Sequence, residues 1–356
     1  MHRIIIEEND AGQRLDRFLR KYLSRAPLSS IYRMIRKDLK VNGKRSKRDM
    51  MLECGDELVI YLSDEKIAEF TKAREPVKAR RQFGIAYEDE HVLIVDKPAG
   101  LLTHGDRSEK KNTLVNQVCG YLQQEGCYDP SKEKVFRPSP VNRLDRNTTG
   151  LVIFGKNAEA TRALTGLLRE RDGVRKYYRT IVCGRVEEEQ TIEETLLKDE
   201  DRNLVQVVAG QEDQSGGNDH KTDGAKGRKS ISIVRPISSG DDFSLVEVEL
   251  VTGRTHQIRV HMAHTGHPLA ADPKYGDPAV NAGLKREGLT SQFLHACRLE
   301  FAPMDEADAG RAVTDPDTAG DGNTGGDVLA GIRGRSVVSE SPKGFKKAEK
   351  MLVGRS

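Results

Sequence analysis

A chain of 356 residues is long enough for a large buried core and for two or three domains, and it has no apolar run able to cross a bilayer. Its five cysteines, Cys54, Cys119, Cys127, Cys183 and Cys297, are odd in number and scattered, with no CxxC pair, which argues against a disulfide frame or a cysteine zinc site. The net charge of +3 hides an asymmetry: residues 1–50 hold 14 Lys and Arg against 6 Asp and Glu, or +8, which leaves −5 for the remainder. Such a basic end faces polyanions. The opening Met1-His2-Arg3 runs into Ile4-Ile5-Ile6 and then acidic residues, unlike a secretion signal, so a soluble cytoplasmic protein is expected and the sequon at Asn147 is expected to stay unmodified.

In chain order, Leu15, Phe18, Leu19, Tyr22 and Leu23 recur at helical spacing, with Arg14, Arg17, Arg20 and Lys21 on the other faces. Ser29 and Ser30 are positioned to cap a second helix that turns Ile31, Met34 and Ile35 inward and Arg33, Arg36 and Lys37 outward. Val41-Asn42-Gly43 then reads as a strand entering a tight turn, and Gly55 to Leu62 as a closing strand. Residues 63–82 are charged and poor in apolar spacing, with Pro76 among them, and read as a linker.

From residue 83 the pattern is strand-rich. Gly84 to Tyr87 and His91 to Val95 are short strands around the acidic turn Glu88-Asp89-Glu90. A helix over about 113–123 follows, then Pro138 and Pro140 lead to Val141-Asn-Arg-Leu-Asp-Arg-Asn-Thr-Thr-Gly150. Gly150 to Gly155 reads as a buried strand and Ala158 to Arg171 as a basic amphipathic helix. Tyr177 to Val182, Leu204 to Val208, Ile231 to Val234 and Phe243 to Val251 read as strands. Two segments are compositionally apart. Gly210 to Ser230 is rich in Gly, Asp, Asn and Lys and reads as a disordered surface loop. Between Asp305 and Asp327, seven acidic residues meet only Arg311 among Gly, Ala and Thr.

Asp145 is the candidate centre of chemistry. It lies between Arg143 and Arg146, with small hydroxyl residues and a glycine behind it, a setting in which a carboxylate can act as nucleophile or acid/base group. By spacing alone, an Asp beside Arg near a turn is more often a salt-bridged loop residue or a cap. Two other patterns fail on inspection. Gly150 to Lys156 satisfies Gly-x4-Gly-Lys but lacks the following Ser or Thr, and its middle is strand rather than phosphate-cradling loop. His256, His261, His264 and His267 have spacings compatible with zinc, yet no Cys or carboxylate lies within the group.

Four segments in order resemble the RluA family of RNA pseudouridine synthases. They are Asp96-Lys-Pro-Ala-Gly-Leu-Leu-Thr-His104, the Asp145 stretch, Lys176-Tyr177-Tyr178, and Gly253-Arg-Thr-His-Gln-Ile-Arg-Val-His261. The resemblance spans residues 83–303. A second one covers residues 1–62, which resemble an S4-like RNA-binding domain through Arg14-Leu15-Asp16, the basic second helix, Lys40-Val-Asn-Gly-Lys44 and Gly55-Asp56. Together they imply an α+β protein: a small S4-like α/β RNA-binding domain (1–62), a linker (63–82), and a catalytic domain (83–303) on a long mixed, mainly antiparallel sheet with a central cleft. Residues 304–356 would then be an acidic insert and a basic tail, in which Gly344-Phe-Lys-Lys347 resumes a terminal helix of the family.

The resemblance implies isomerisation of specific uridines to pseudouridine on a flipped-out base, most simply in large-subunit ribosomal RNA and secondarily in transfer RNA. No cofactor and no metal is expected, because the reaction involves neither redox change nor energy input. Asp145 would carry the catalysis, by covalent addition or by taking a ribose proton. Tyr178 would stack on the uracil and assist the late deprotonation, with one of Tyr177 and Tyr178 left for packing. Arg259, or alternatively Arg254, would pair with Asp145, and Arg143 would fill the gap left by the base. Arg146, Lys97, His104, Arg254 and His256 are expected at the substrate RNA, and Arg17, Arg33, Arg36, Lys37 and Lys44 at its phosphates. Asn142 stands where the family pattern has His, and Thr149 where it often has Ser, which removes any assumed catalytic duty from the residue before Arg143. The expected partners are RNA and pre-ribosomal particles, not a membrane, and the expected state is a monomer. Two other classes compete: a catalytically silent RNA-binding or ribosome-associated factor on the same scaffold, and a metal-dependent hydrolase using the histidines.

Overall fold

The computed structural model describes residues 1–72, 79–170, 173–199, 204–208, 227–304 and 327–354. The N-terminal unit runs β1 (His2–Ile5), β2 (Gln13–Arg14), α1 (Leu15–Tyr22), α2 (Leu28–Lys37), β3 (Leu39–Val41), β4 (Met51–Leu52), β5 (Glu57–Ile60) and α3 (Asp64–Phe70). β1, β5 and β3 form one antiparallel sheet, and β2 pairs with β4. The apolar positions at helical spacing do what the pattern required: Leu15, Phe18, Leu19, Ile31, Met34 and Ile35 close one core, while Arg17, Arg20, Arg33, Arg36, Lys37 and Lys44 remain exposed. The residue capping α2 is Pro27 rather than a serine. Asn42 takes φ 49 and Gly43 φ 76, the left-handed pair that a tight Asn-Gly turn requires.

The stretch read as a linker is structured in its first half. Ser63 caps α3 by accepting from the backbone N–H of Lys66, and Ile67 is buried against the N-terminal core with Phe70 beside it. A single apolar residue per turn was too weak a period to mark so short a helix. Pro76 lies outside the described residues.

The second unit contains β6 (Gly84–Glu88), β7 (Val92–Lys97), α4 (Leu114–Gln124), β8 (Thr149–Gly155), α5 (Ala158–Arg169), β9 (Val174–Cys183), β10 (Gln190–Asp199), β11 (Leu204–Val208), β12 (Arg228–Ser239), β13 (Phe243–Leu250), α6 (Gln257–His264), α7 (Pro278–Arg286), β14 (Leu294–Phe301), β15 (Ser336–Val338) and α8 (Lys343–Leu352). Its sheet has ten strands in the order β11-β10-β12-β13-β9-β14-β8-β7-β6, with β15 also on β14. Every pairing is antiparallel except β14 with β8. Period-two alternation feeds a core on each face. Leu93, Val95, Val152 and Phe154 face one, and Val92, Ile94, Leu151 and Ile153 the other.

The single parallel junction sits directly behind the Asp145 loop. There Gly150, at φ 104, lies opposite Ala296, and an added Cβ would fall 2.2 Å from the Ala296 carbonyl oxygen. Only glycine allows that approach. Next to it, the pairing of β14 with β9 shifts register between Ala296 and Arg298 at the level of Tyr178 and Tyr177. Such irregularities re-aim side chains beside sites.

Residues 327–354 pack on the second unit rather than trailing from it. Leu329, Ile332 and Val337 fill one core, β15 adds to the sheet, and Phe345 and Ala348 of α8 pack on Ile181 and Leu245. The acidic stretch 305–326 and residues 210–226 of the other segment lie outside the described residues. The remainder of that segment extends β12, whose strand starts at Arg228 rather than Ile231.

Candidate active site

The loop that presents Asp145 is tied at three successive carbonyls. Thr103 Oγ1 donates to the Leu144 carbonyl at 2.8 Å, Lys97 Nζ donates to the Arg146 carbonyl at 2.9 Å, and the Thr148 N–H closes a turn on the Asp145 carbonyl at 3.1 Å. The Asp145 carboxylate is left about one quarter exposed, in a small cleft shared with Arg143, Tyr178, Arg254, His256 and Arg259.

Arg259, near the start of α6, donates from Nη1 to Asp145 Oδ2 at 3.1 Å. Its Nε and Nη2 form a two-pronged pair with the fully buried Asp272, both at 2.7 Å. That fork fixes the guanidinium plane, so that Nη1 is aimed at the Asp145 carboxylate. Asp272 is itself held by the backbone N–H groups of Lys274 (2.8 Å) and Tyr275 (3.2 Å). Asp272 and Tyr275 went unnoticed in the sequence. A short polar turn after the apolar Leu269-Ala270-Ala271 was the available signal, but nothing local ties it to Asp145.

Among the described residues three non-glycine residues take positive φ, and two flank this machinery: His256 at 54° and Ala271 at 59°. Strained backbone of this kind persists only when its surroundings over-determine it. At His256 they do. Its Nδ1 shares a 2.8 Å hydrogen bond with the Tyr275 hydroxyl, its Nε2 lies 3.7 Å from Asp145, and the adjacent Gln257 side chain bonds Thr252, Arg254, Ile231 and Ser232. Burial pushes the His256 pKa down to about 4, against the pull of Asp145, so the ring is neutral near pH 7.

Tyr178 and Tyr177 point to opposite faces of β9. Tyr178 is buried and lines the cleft, and burial together with the Asp145 charge raises its hydroxyl pKa and keeps it protonated. Tyr177 donates to Glu300 at 3.0 Å and carries the Arg298 guanidinium 4.0 Å above its ring, so it is the packing member of the pair. Arg143 is exposed at the mouth of the cleft. Arg254 is also exposed there, but its Nε donates to the Lys229 carbonyl, and Arg259 rather than Arg254 meets Asp145.

Several expected placements change. The sequence sets Asp145 between two arginines, yet Arg146 turns away, donating to Ser108 Oγ at 3.0 Å and approaching Asp106 at 3.8 Å. His104 is exposed near Arg143. Lys97 is fully buried, and its ammonium donates to the carbonyls of Pro98 (3.0 Å), Leu101 (2.8 Å) and Arg146 (2.9 Å), so it positions the loop and cannot reach RNA. Replacing Lys97 by Met is expected to destabilise the protein by about 1–3 kcal/mol, because buried carbonyls lose their donor. It should also slow single-turnover catalysis, and an unchanged melting temperature and rate would contradict this role.

Asn142 lies apart from the cleft. Its amide accepts from the Ile153 N–H and donates to the Leu151 carbonyl, fastening the approach segment to β8. Thr149 bonds His295 Nδ1 at 2.9 Å, and His295 Nε2 meets the Ser339 carbonyl, which ties the C-terminal segment to the site's back wall. The other histidines of the group with zinc-like spacing go to separate partners: His261 to Ser230 at 2.7 Å, His264 near Glu194 at 3.4 Å, and His267 to the Cys183 carbonyl at 3.0 Å. Among the described residues no three His, Cys, Asp or Glu side chains converge as a metal site.

Burial pushes His261 as well as His256 from the ordinary 6.5 to about 4. The unfolded chain binds these protons as pH falls through 6.5, whereas the folded chain resists them until near 4. Stability is therefore expected to be full above pH 6.5 and to decline steadily as pH falls toward 4. A melting-temperature series would show it, and a flat series over that window would contradict it.

A family model described as RNA pseudouridylate synthase matches residues 91–264. The chain is 33% identical over 309 residues to a Vibrio cholerae protein named ribosomal large subunit pseudouridine synthase C, covering 84% of this chain and 88% of that one. It is 32% identical over 323 residues to the Escherichia coli protein of the same name, covering 85% and 93%. Among solved structures, human RNA pseudouridylate synthase domain containing 4 shares the fold, with a TM-score of 0.53 at 19% identity over 76% of this chain and 92% of that one. The matches include the Asp145 loop, the Tyr178 strand and the Arg259 helix, and the chain is an isomerase belonging to the RluA-type RNA pseudouridylate synthase family.

Proposed function

We propose that the protein converts uridines of large-subunit ribosomal RNA to pseudouridine, with Asp145 as the catalytic group. The observation that carries this reading is Asp145 seated with Tyr178 in one cleft and held by an arginine that Asp272 fixes from behind. The bond between ribose C1′ and uracil N1 breaks, the base turns, and C1′ joins C5. The C5 proton is lost and N1 gains one, so the reaction balances without a cofactor.

Asp145 assists the cleavage, either by adding to the substrate or by taking a ribose proton. Tyr178 supports the face of the uracil, and its protonated hydroxyl is a handle near C5. Arg143, at the mouth, is placed to occupy the space that the flipped nucleotide leaves. The N-terminal unit serves as an S4-like grip, with Arg17, Arg33, Arg36, Lys37 and Lys44 giving affinity through phosphates. Ribosomal rather than transfer RNA is favoured by the names of the relatives. On this reading the protein acts as a monomer in the cytoplasm, on ribosomal RNA or its assembling particles. No helix among the described residues is long and apolar enough to cross a membrane.

The test is to express the chain in a host lacking its own equivalents and to map pseudouridines in total RNA by carbodiimide-blocked primer extension. New sites in large-subunit ribosomal RNA are expected. Sites confined to transfer RNA would overturn the substrate, and no sites despite RNA binding would favour a silent binding factor.

A further inference from the structure

Where the two units meet, the surface opens into a groove of about 1250 Å3. Lys21 and Arg25 line it from the end of α1 and the turn beyond, Lys72 from just past α3, and Lys132, Lys134 and Arg137 from the catalytic-domain segment that leads to the Asp145 loop. Among the described residues that line it, Glu133 is the only acidic one, and its side chain accepts from Asn9 at 2.7 Å. Lys134 is bound at the seam by Glu7 (2.8 Å) and Asp10 (3.3 Å), and Lys132 lies 3.7 Å from Asp129. Arg25 and Lys72 are exposed. Arg137 is exposed too and donates to the neutral side-chain oxygen of Asn116, which leaves its charge uncancelled.

The groove has fixed walls. Val135 of the catalytic domain is buried in the N-terminal core, the Asn9 side chain also accepts from the Ala158 N–H at 3.0 Å, and Arg162 donates to the Ala11 carbonyl at 3.0 Å. Toward the cleft, His104 is disfavoured as a cation first by desolvation and then by the nearby charges of Arg143 and Arg137, so cations of the groove and of the cleft mouth both lie near it. A positive groove joined to a catalytic cleft by further cations complements a polyanion that runs through both.

We propose that this seam groove binds the phosphate backbone of the RNA flanking the target uridine, so that both units grip one RNA segment together. The proposal rests on the RNA-modifying function above. It differs from a grip by the N-terminal unit alone, because half of the groove's cations belong to the catalytic domain.

The test compares the full chain with the triple variant Arg25→Ala, Lys72→Ala, Arg137→Ala, and with a control that removes three exposed cations elsewhere, Lys285→Ala, Arg286→Ala, Lys347→Ala. Binding to a large-subunit ribosomal RNA transcript is measured across a salt series. Each lost phosphate contact flattens the slope of log affinity against log salt by about 0.7–0.9, so the groove variant is expected to be shallower by about 2 and to bind roughly tenfold or more weakly. The control should match the wild type. A groove variant with wild-type slope and affinity, or an equal loss in the control, overturns the proposal. Pseudouridine formation by the wild type in the same transcript is scored separately: if it binds without modifying, the function fails, whereas a modifying enzyme with an indifferent groove sinks the groove alone.

Discussion

Asp145→Asn is expected to reduce single-turnover pseudouridine formation by at least about a thousandfold while leaving RNA affinity and melting temperature near the wild type. Removing a group that acts directly on the reacting atoms costs this much or more. The substitution is nearly isosteric, and the amide oxygen still accepts the 3.1 Å bond from Arg259, which keeps its fork on Asp272. An amide can neither add to the sugar or base nor take up a proton in the required step. A variant within tenfold of the wild-type rate would remove Asp145 from the chemistry.

Arg259→Leu is expected to fail twice, in stability and in rate. Asp272 has no exposed surface and loses both guanidinium bonds, leaving only backbone N–H partners. Breaking a buried pair from one side typically costs about 3–5 kcal/mol, because a desolvated charge is left alone. The double variant Arg259→Leu, Asp272→Leu removes that orphan charge and should recover part of the stability, yet remain inactive, since nothing then aims a donor at Asp145. Chemical denaturation of the three proteins measures the first effect and single-turnover rates the second. A single variant as stable as the wild type would contradict the buried pair, and an active double variant would contradict the positioning of Asp145 by Arg259.

The elements most legible in the sequence were those whose periodicity is strong and local. Leu15, Phe18 and Leu19 are buried where their spacing placed them, and the apolar runs of β7 and β8 form buried strands. β10 was not legible, because its many polar residues sit on a strand with only Ile192 and Leu196 buried. α6 was hidden by its histidines, which read as a possible metal pattern although they fasten the helix to β12 and its neighbours. The centre of the site was legible through ordered motifs. Its support was not: Asp272 is 127 positions from Asp145 in the numbering, and only the folded chain shows that Arg259 joins them. Lys97 was misread for a related reason, since a lysine in a motif reads as a phosphate contact until burial shows its donors committed to three carbonyls.

The central claim is that Asp145 drives an exchange of the sugar's bond from N1 to C5, and the loss of the C5 hydrogen is its most direct signature. Ribosomal RNA labelled with tritium at C5 of uracil would be incubated with wild-type protein and with Asp145→Asn, and tritium released to water would be counted. Release by the wild type, limited to the number of modified uridines, is expected, and none above background by the variant. Equal release by both, or no release by a wild type that binds the RNA, would contradict it.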